Sequence, residues 1–280
     1  MIRMGFRPSC LALLALVFVA TAAQSQAVLL QIRPHIGDTL RMHLSQSVEM
    51  TGTTPGGRHD TSSMTTSIEV FTRAIAEQWT STGTLMQTIT DSVAMNPASP
   101  ESLADLKRRA LQSKPVWLRV STDGAMEMVD DGDAHSELRQ LFGEMPAMLA
   151  RNPVAVGEKW TREMQIPLSS EPGAVGSVRA TFRLDSLGRN GDIAYISMRG
   201  TMSRINTPGT APAGPGYGTS GQLSGTIQIN RRLGWITDSK SSIITRSTII
   251  SAPTRRGEPP MAPMHVRTKI TQWIRAMRVR

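Results

Sequence analysis

Cysteine is all but missing from this chain of 280 residues; Cys10 is the only one. It stands at the front of an apolar run, Cys10 to Ala23, that follows Arg3 and Arg7 and leads to Ser25-Gln26-Ala27. A positive start, an apolar stretch and a small-x-small site read together as a cleavable signal peptide over residues 1–27, with cleavage before Val28. The cysteine precedes the run instead of following it, which disfavours a lipid anchor. Without the signal no thiol remains, so disulfides, thiol catalysis and cysteine-ligated metals are excluded from 28–280.

Long hydrophobic runs are missing too. The signal's run is about 14 residues, against the roughly 20 that a helical membrane span requires. Aromatics make up 4% of the chain, too few for the paired girdles of an outer-membrane barrel. Arg278-Val279-Arg280 at the end is a further mark against a barrel. Catalytic signatures are likewise absent. No Gly-x-Ser-x-Gly elbow occurs, and Gly218-Thr219-Ser220-Gly221 is one residue short and expected in a flexible loop. Neither His-Glu-x-x-His nor a phosphate-cradling glycine loop is present. His35, His43, His59, His135 and His265 are scattered without ligand spacing. The expectation is a protein that is not an enzyme and has no cofactor.

After the signal, acidic residues are scarce at the C-terminal end only. Residues 28–230 hold 18 basic and 20 acidic side chains, whereas 231–280 hold 11 and 2. In an exported protein such a patch suits an anionic envelope surface before nucleic acid. Arg267, Lys269 and Arg275, alternating on one strand, are its candidate centre.

What is abundant is alternation with period two. Leu40, Met42 and Leu44 alternate with polar residues, as do Met64, Ile68 and Val70. Leu85, Ile89 and Val93 read as one face. Val178, Ala180, Phe182 and Leu184 oppose charged and hydroxyl residues, and Val266, Ile270 and Ile274 oppose Arg267, Lys269 and Arg275. Each is a strand with one wet face. Asp123-Gly124, Arg189-Asn190-Gly191-Asp192 and Arg232-Leu233-Gly234 supply hairpin turns. The fold class is mainly β: about ten to twelve strands in curved antiparallel sheet, with two short helical segments packed on it. Those helices are placed at 100–113, with Leu103, Leu106 and Ala110 on one face, and at 134–150. Gly143 and Pro146 interrupt the second. Glycine- and proline-rich 206–221 and 252–263 read as long loops, the first a lid.

Methionine is plentiful, with 17 residues against five Phe, five Trp and two Tyr. Met261-Ala262-Pro263-Met264-His265 and the pair Met126 and Met128 carry soft donors suited to Cu(I). Methionine occurs throughout, though, and Met42, Met64 and Met145 fall at core-pattern positions, so it reads as interior filler and no metal is assigned. Asp130-Asp131-Gly132-Asp133 with Glu137 lacks the calcium-loop spacing and reads as a strand-to-helix turn in which Gly132 supplies the bend and Asp133 caps the second helix.

Gly37-Asp38-Thr39-Leu40 and Gly157-Glu158-Lys159-Trp160 open two strands alike. The chain therefore reads as one domain of two similar halves, 37–130 and 154–280, joined by the helical segment 134–150. The glycine-acidic opening, the segment Pro153 to Trp160 and the closing Gly234-Trp235-Ile236 turn resemble a family of exported bacterial proteins catalogued as a domain of unknown function. The resemblance covers most of 37–275. It implies a β-rich envelope protein and carries over no catalytic residues.

Two functions are compatible with these features. One is a periplasmic carrier of an apolar ligand such as lipid, held between the sheet and a stripe of Leu138, Leu141, Phe142, Met145 and Leu149. The other is an envelope adaptor that binds an anionic partner through Arg267, Lys269 and Arg275.

Overall fold

A computed structural model describes residues 27–53, 61–96, 115–130, 146–167, 175–204, 217–249 and 264–277. They form eleven strands: β1 (Thr39–Thr53), β2 (Thr61–Thr80), β3 (Gly83–Asn96), β4 (Val116–Val120), β5 (Met126–Asp130), β6 (Lys159–Pro167), β7 (Val175–Gly188), β8 (Ile193–Arg204), β9 (Tyr217–Asn230), β10 (Trp235–Ile249) and β11 (Met264–Met277). All pair antiparallel in one sheet of order β5-β4-β3-β2-β1-β11-β10-β9-β8-β7-β6. Among the described residues β5 and β6 are edges, so the sheet is not closed by hydrogen bonds.

The sheet is nevertheless curled. Laid flat, eleven strands would span about 50 Å at their usual spacing. Yet Val120 of β4, Met42 of β1, Ile229 of β9 and Phe182 of β7 belong to one contiguous buried cluster. The turn between β4 and β5 also touches β6 directly, for Arg162 Nη2 lies 3.5 Å from Asp123 Oδ2. Opposite flanks meet only if the sheet wraps into a trough.

One end of the trough is plugged. Residues 28–36 run beneath the strands, with Leu30 and Ile32 buried. Val28 forms a bridge with Val154. The Ile32 amide donates to Thr122 O and that of Arg33 to Gly234 O. Most of the core gathers at this end. Toward the other end burial falls, and Met64, expected in the core, is 55% exposed. It lies near the start of β2 opposite Met50, far from the plug.

Two strand openings share one hydrogen-bond pattern. The Gly37 amide donates to Ala76 O (2.8 Å) and Ala76 to Asp38 O (3.1 Å); Gly157 donates to Leu184 O (2.6 Å) and Leu184 to Glu158 O (3.1 Å). Both glycines have φ near 90°, where a Cβ is strained. A register shift follows each, between Ala76 and Gln78 and between Leu184 and Ser186.

Three expectations need correction. First, a further shift between Phe71 and Thr72 breaks the alternation of β3. Met86, Thr88 and Thr90 face the trough before it and Val93 after it, while Leu85 and Ile89 pair with Gln78 and Arg73 on the outer face. Bulges displace the side-chain period by one. Second, Gly218-Thr219-Ser220-Gly221 is not loop but lies within β9, as does the end of the expected 206–221 lid; its residues 206–216 fall outside the described ones. Third, 146–150 is not helical. The Met148 and Leu149 amides donate to Asp123 O, which takes the donors an α-helix would need. The remainder of 134–150, the helix at 100–113 and the 252–263 loop lie outside the described residues.

Candidate functional site

The trough's inner wall is built from every second residue of its strands. Leu40, Met42 and Leu44 of β1 are buried there. Met42 stands opposite Thr72 and Ala276, and Leu44 opposite Val70 and Ile274. On the other flank Met198 of β8 lies opposite Gly225 of β9. A Cβ on Gly225 would come within 2.4 Å of Met198 Cε and 2.3 Å of Lys240 O. Glycine there lets a long methionine lie against the sheet.

Above the plug these side chains leave a cavity of about 190 Å³. Among the described residues six methionines line it: Met42, Met86, Met126, Met128, Met148 and Met198. Leu118, Val116, Trp235 and Ile236 contribute further apolar wall. Trp235 Nε1 points at Met42 Sδ at 3.3 Å, fixing one methionine against the indole. A polar band crosses the same wall, made of Thr72, Thr88 and Thr90 on one side and Ser239, Ser241 and Gln272 on the other. Beyond it a separate cluster of Leu44, Val70 and Val93, flanked by Ile68 and Ile274, continues the apolar surface along the trough. Among the described residues no charged side chain lines the cavity.

Of the five residues expected to hold an apolar ligand, Leu149 alone is described. It is fully buried in the main core, and its carbonyl accepts from Arg162 Nε at 3.0 Å. Leu138, Leu141, Phe142 and Met145 lie outside the described residues. The basic trio lies on the outer face of β11, opposite the cavity. Lys269 Nζ pairs with Glu49 at 3.1 Å and Arg275 Nε with Asp238 at 3.3 Å. Arg275 also lies over the Trp273 ring, 4.0 Å from its centroid. Arg267 stands across from Arg246 and Thr51. Two of the three cations are thus already answered by carboxylates.

Among the described residues no cluster of three or more His, Cys, Asp or Glu could hold a metal. Met126 and Met128, paired in the sequence as soft donors, prove to be cavity wall instead. Met86 and Thr88 face the cavity because the register shift in β3 interrupts its alternation. Another depression, about 490 Å³, lies elsewhere on the sheet between Arg179, Arg199, Gln222 and Ser242.

No helix among the described residues is long and apolar enough to cross a membrane. No family model and no curated protein matches the chain. Among solved structures it is similar to an outer membrane channel from Pseudomonas putida F1, at 10% identity, covering 91% of this chain and 98% of that one with a TM-score of 0.21. A TM-score that low carries no argument about this chain.

Proposed function

We propose that this chain is an exported, non-enzymatic binder of an apolar ligand, which it holds in the trough of its curled sheet. The methionine-lined cavity carries the reading. Interiors are normally close-packed, with few voids larger than a water molecule. Here an apolar void opens onto further apolar wall, and its lining is dominated by the most adaptable apolar side chain. At about 190 Å³ the void has room for roughly six waters' share of liquid volume. It is below the roughly 300–1,000 Å³ of a site that engulfs a small molecule. It therefore seats one end of a chain, and the remainder lies along Ile68, Val93 and the neighbouring strands.

Export rests on the sequence of residues 1–27. The shared hydrogen-bond pattern at Gly37 and Gly157 supports reading the chain as two related halves. Engagement of Lys269 and Arg275 with carboxylates favours the binder over an adaptor working through β11.

Filling the void tests the reading. Ala74 lines the cavity opposite Leu40 and Thr88. Ala74→Phe is expected to abolish co-purification of lipid, read by native mass spectrometry, and to leave the melting temperature within a few degrees, since the ring enters empty space. Ala74→Met serves as a milder filler. Strong destabilisation by both, of the size overpacking a filled core produces, together with ligand-free wild-type protein, would sink the proposal.

A further inference from the structure

We infer that the outer face of the sheet carries a second binding site, for a phosphate monoester on a polar body such as a sugar, held between Arg179 of β7 and Arg199 of β8. This site is separate from the trough and lies on the opposite side of the sheet. Two features support it.

The first is the placement of the two cations. Arg179 pairs with Thr201, and Arg199 with Thr181, so the arginines are diagonal neighbours on adjacent antiparallel strands. Such positions lie about 7–8 Å apart, well within reach of long side chains. Gly200 keeps the two strands close. A Cβ there would come within 2.8 Å of Arg179 O and 3.1 Å of Ala180 Cα, so another residue would force β7 and β8 apart. Like charges this near repel. Elsewhere on the outer face cations are answered by carboxylates: Arg183 by Asp185, Lys269 by Glu49 and Arg275 by Asp238. Among the described residues Arg179 and Arg199 have no such partner. Glu163, across from Arg179 on β6, instead accepts from Ser177 Oγ at 3.1 Å. Two guanidinium groups side by side, each a planar fork of donors, suit a phosphate dianion.

The second is the hollow they border, about 490 Å³ in volume. Beyond Arg199 the strands carry short side chains, Ser224 on β9 and then Ser242 on β10. Long residues around short ones leave a depression, with Gly200 and Leu223 along its middle. The hydroxyls of Thr181, Thr201 and Ser224 lie next to the arginines in register and can turn to donate. A carboxylate offers two oxygens to this set, whereas a phosphate monoester offers three and carries nearly two charges. The hollow is of the size that takes a small molecule, more than a phosphate alone fills. Gln222 and Ser242, toward β10, remain to meet the hydroxyls of the body.

Titration calorimetry on the purified protein at about pH 8, where a phosphate monoester is doubly charged, tests this. Glucose 6-phosphate is expected to bind with a dissociation constant below about 1 mM. Glucuronate, the same ring with a carboxylate, and inorganic phosphate should each bind about tenfold more weakly, as loss of hydrogen bonds to a charged group or to the body implies. Arg179→Gln and Arg199→Gln should each weaken glucose 6-phosphate about tenfold. Neither should lower the melting temperature, because both side chains are exposed. Arg246 and Arg267 provide the control: they oppose each other on β10 and β11 and do not line the hollow. Changing both to Gln should alter the affinity less than about twofold at physiological salt. Vesicles of phosphatidylinositol phosphate in phosphatidylcholine separate the two sources of such a group. Tighter binding to them than to glucose 6-phosphate assigns the site to a lipid head group, and weaker binding assigns it to a soluble sugar phosphate; both support the site. Glucose 6-phosphate failing to bind, glucuronate matching it, or affinity unchanged in both single variants would overturn the phosphate site. An equal loss in the control protein would overturn it too, as diffuse attraction. Inorganic phosphate matching glucose 6-phosphate would overturn the polar body. None of these results bears on the trough, which Ala74→Phe tests.

Discussion

Arg162 holds the two flanks of the sheet together, and removing its charge should loosen the trough at its plugged end. Its guanidinium donates to the buried Leu149 carbonyl through both Nε and Nη2 and faces Asp123 across 3.5 Å. Asp123 lies in the β4–β5 turn and Arg162 on β6, so this one side chain spans the gap that no ladder hydrogen bond closes. Arg162→Met keeps the stem and removes the head. A hydrogen bond to a charged group is worth about 1.5–3 kcal/mol, and the orphaned Leu149 carbonyl adds to the loss. The ion pair contributes less, about 1 kcal/mol, because both partners keep some solvent and are screened. The total is about 3 kcal/mol. With a urea dependence of about 3 kcal/mol per molar, the midpoint should fall by about 1 M. Asp123→Asn should cost less alone and show a coupling of about 1 kcal/mol with Arg162→Met in a double-mutant cycle. A midpoint shift below about 0.2 M would refute the idea that this contact clasps the flanks.

Gly225→Ala should lower the melting temperature by about 5–10 °C, from overpacking of about 2–3 kcal/mol in a chain of this size. An unchanged melting curve would mean that β9 and β10 can part to admit a methyl group. Replacing Arg267, Lys269 and Arg275 together by Ser should alter binding to anionic vesicles less than about twofold at physiological salt, where exposed charges are already screened beyond about 8 Å. A tenfold loss would instead favour the adaptor.

Turn chemistry was the most legible part of the fold. Asp123-Gly124 does join β4 to β5, and Asn190 and Gly191 adopt the positive φ that their residue types favour, with Arg189 drawn into the same region beside them. Strand count and antiparallel pairing followed from period two. What alternation could not reveal was where it is interrupted. The shift beside Thr72 turned Leu85 and Ile89 outward and brought Met86 and Thr88 in, and nothing in the local sequence marks it. The site was hidden for a related reason. Its lining comes from strands that are far apart in the chain and meet only through curling, so no spacing unites Met42, Met86, Met126 and Met198. The irregular path of 146–150 was half visible in Pro146, but the partner that claims its amides, Asp123, was not.

The place of β1 has a consequence for how the chain must be made. The first strand among the described residues does not lie at an edge but in the middle of the sheet, hydrogen-bonded on one side to β2 and on the other to β11, the last described strand. Until that final segment is available, β1 and β10 each offer a long unpaired ladder, the kind of edge that recruits other chains. The β1–β11 contacts that join the group of five strands to the group of six are also the most distant in sequence, and such contacts form slowly. A chain of this design keeps its centre open until β11 pairs. Its yield would then depend on a companion that shields those ladders until β11 arrives.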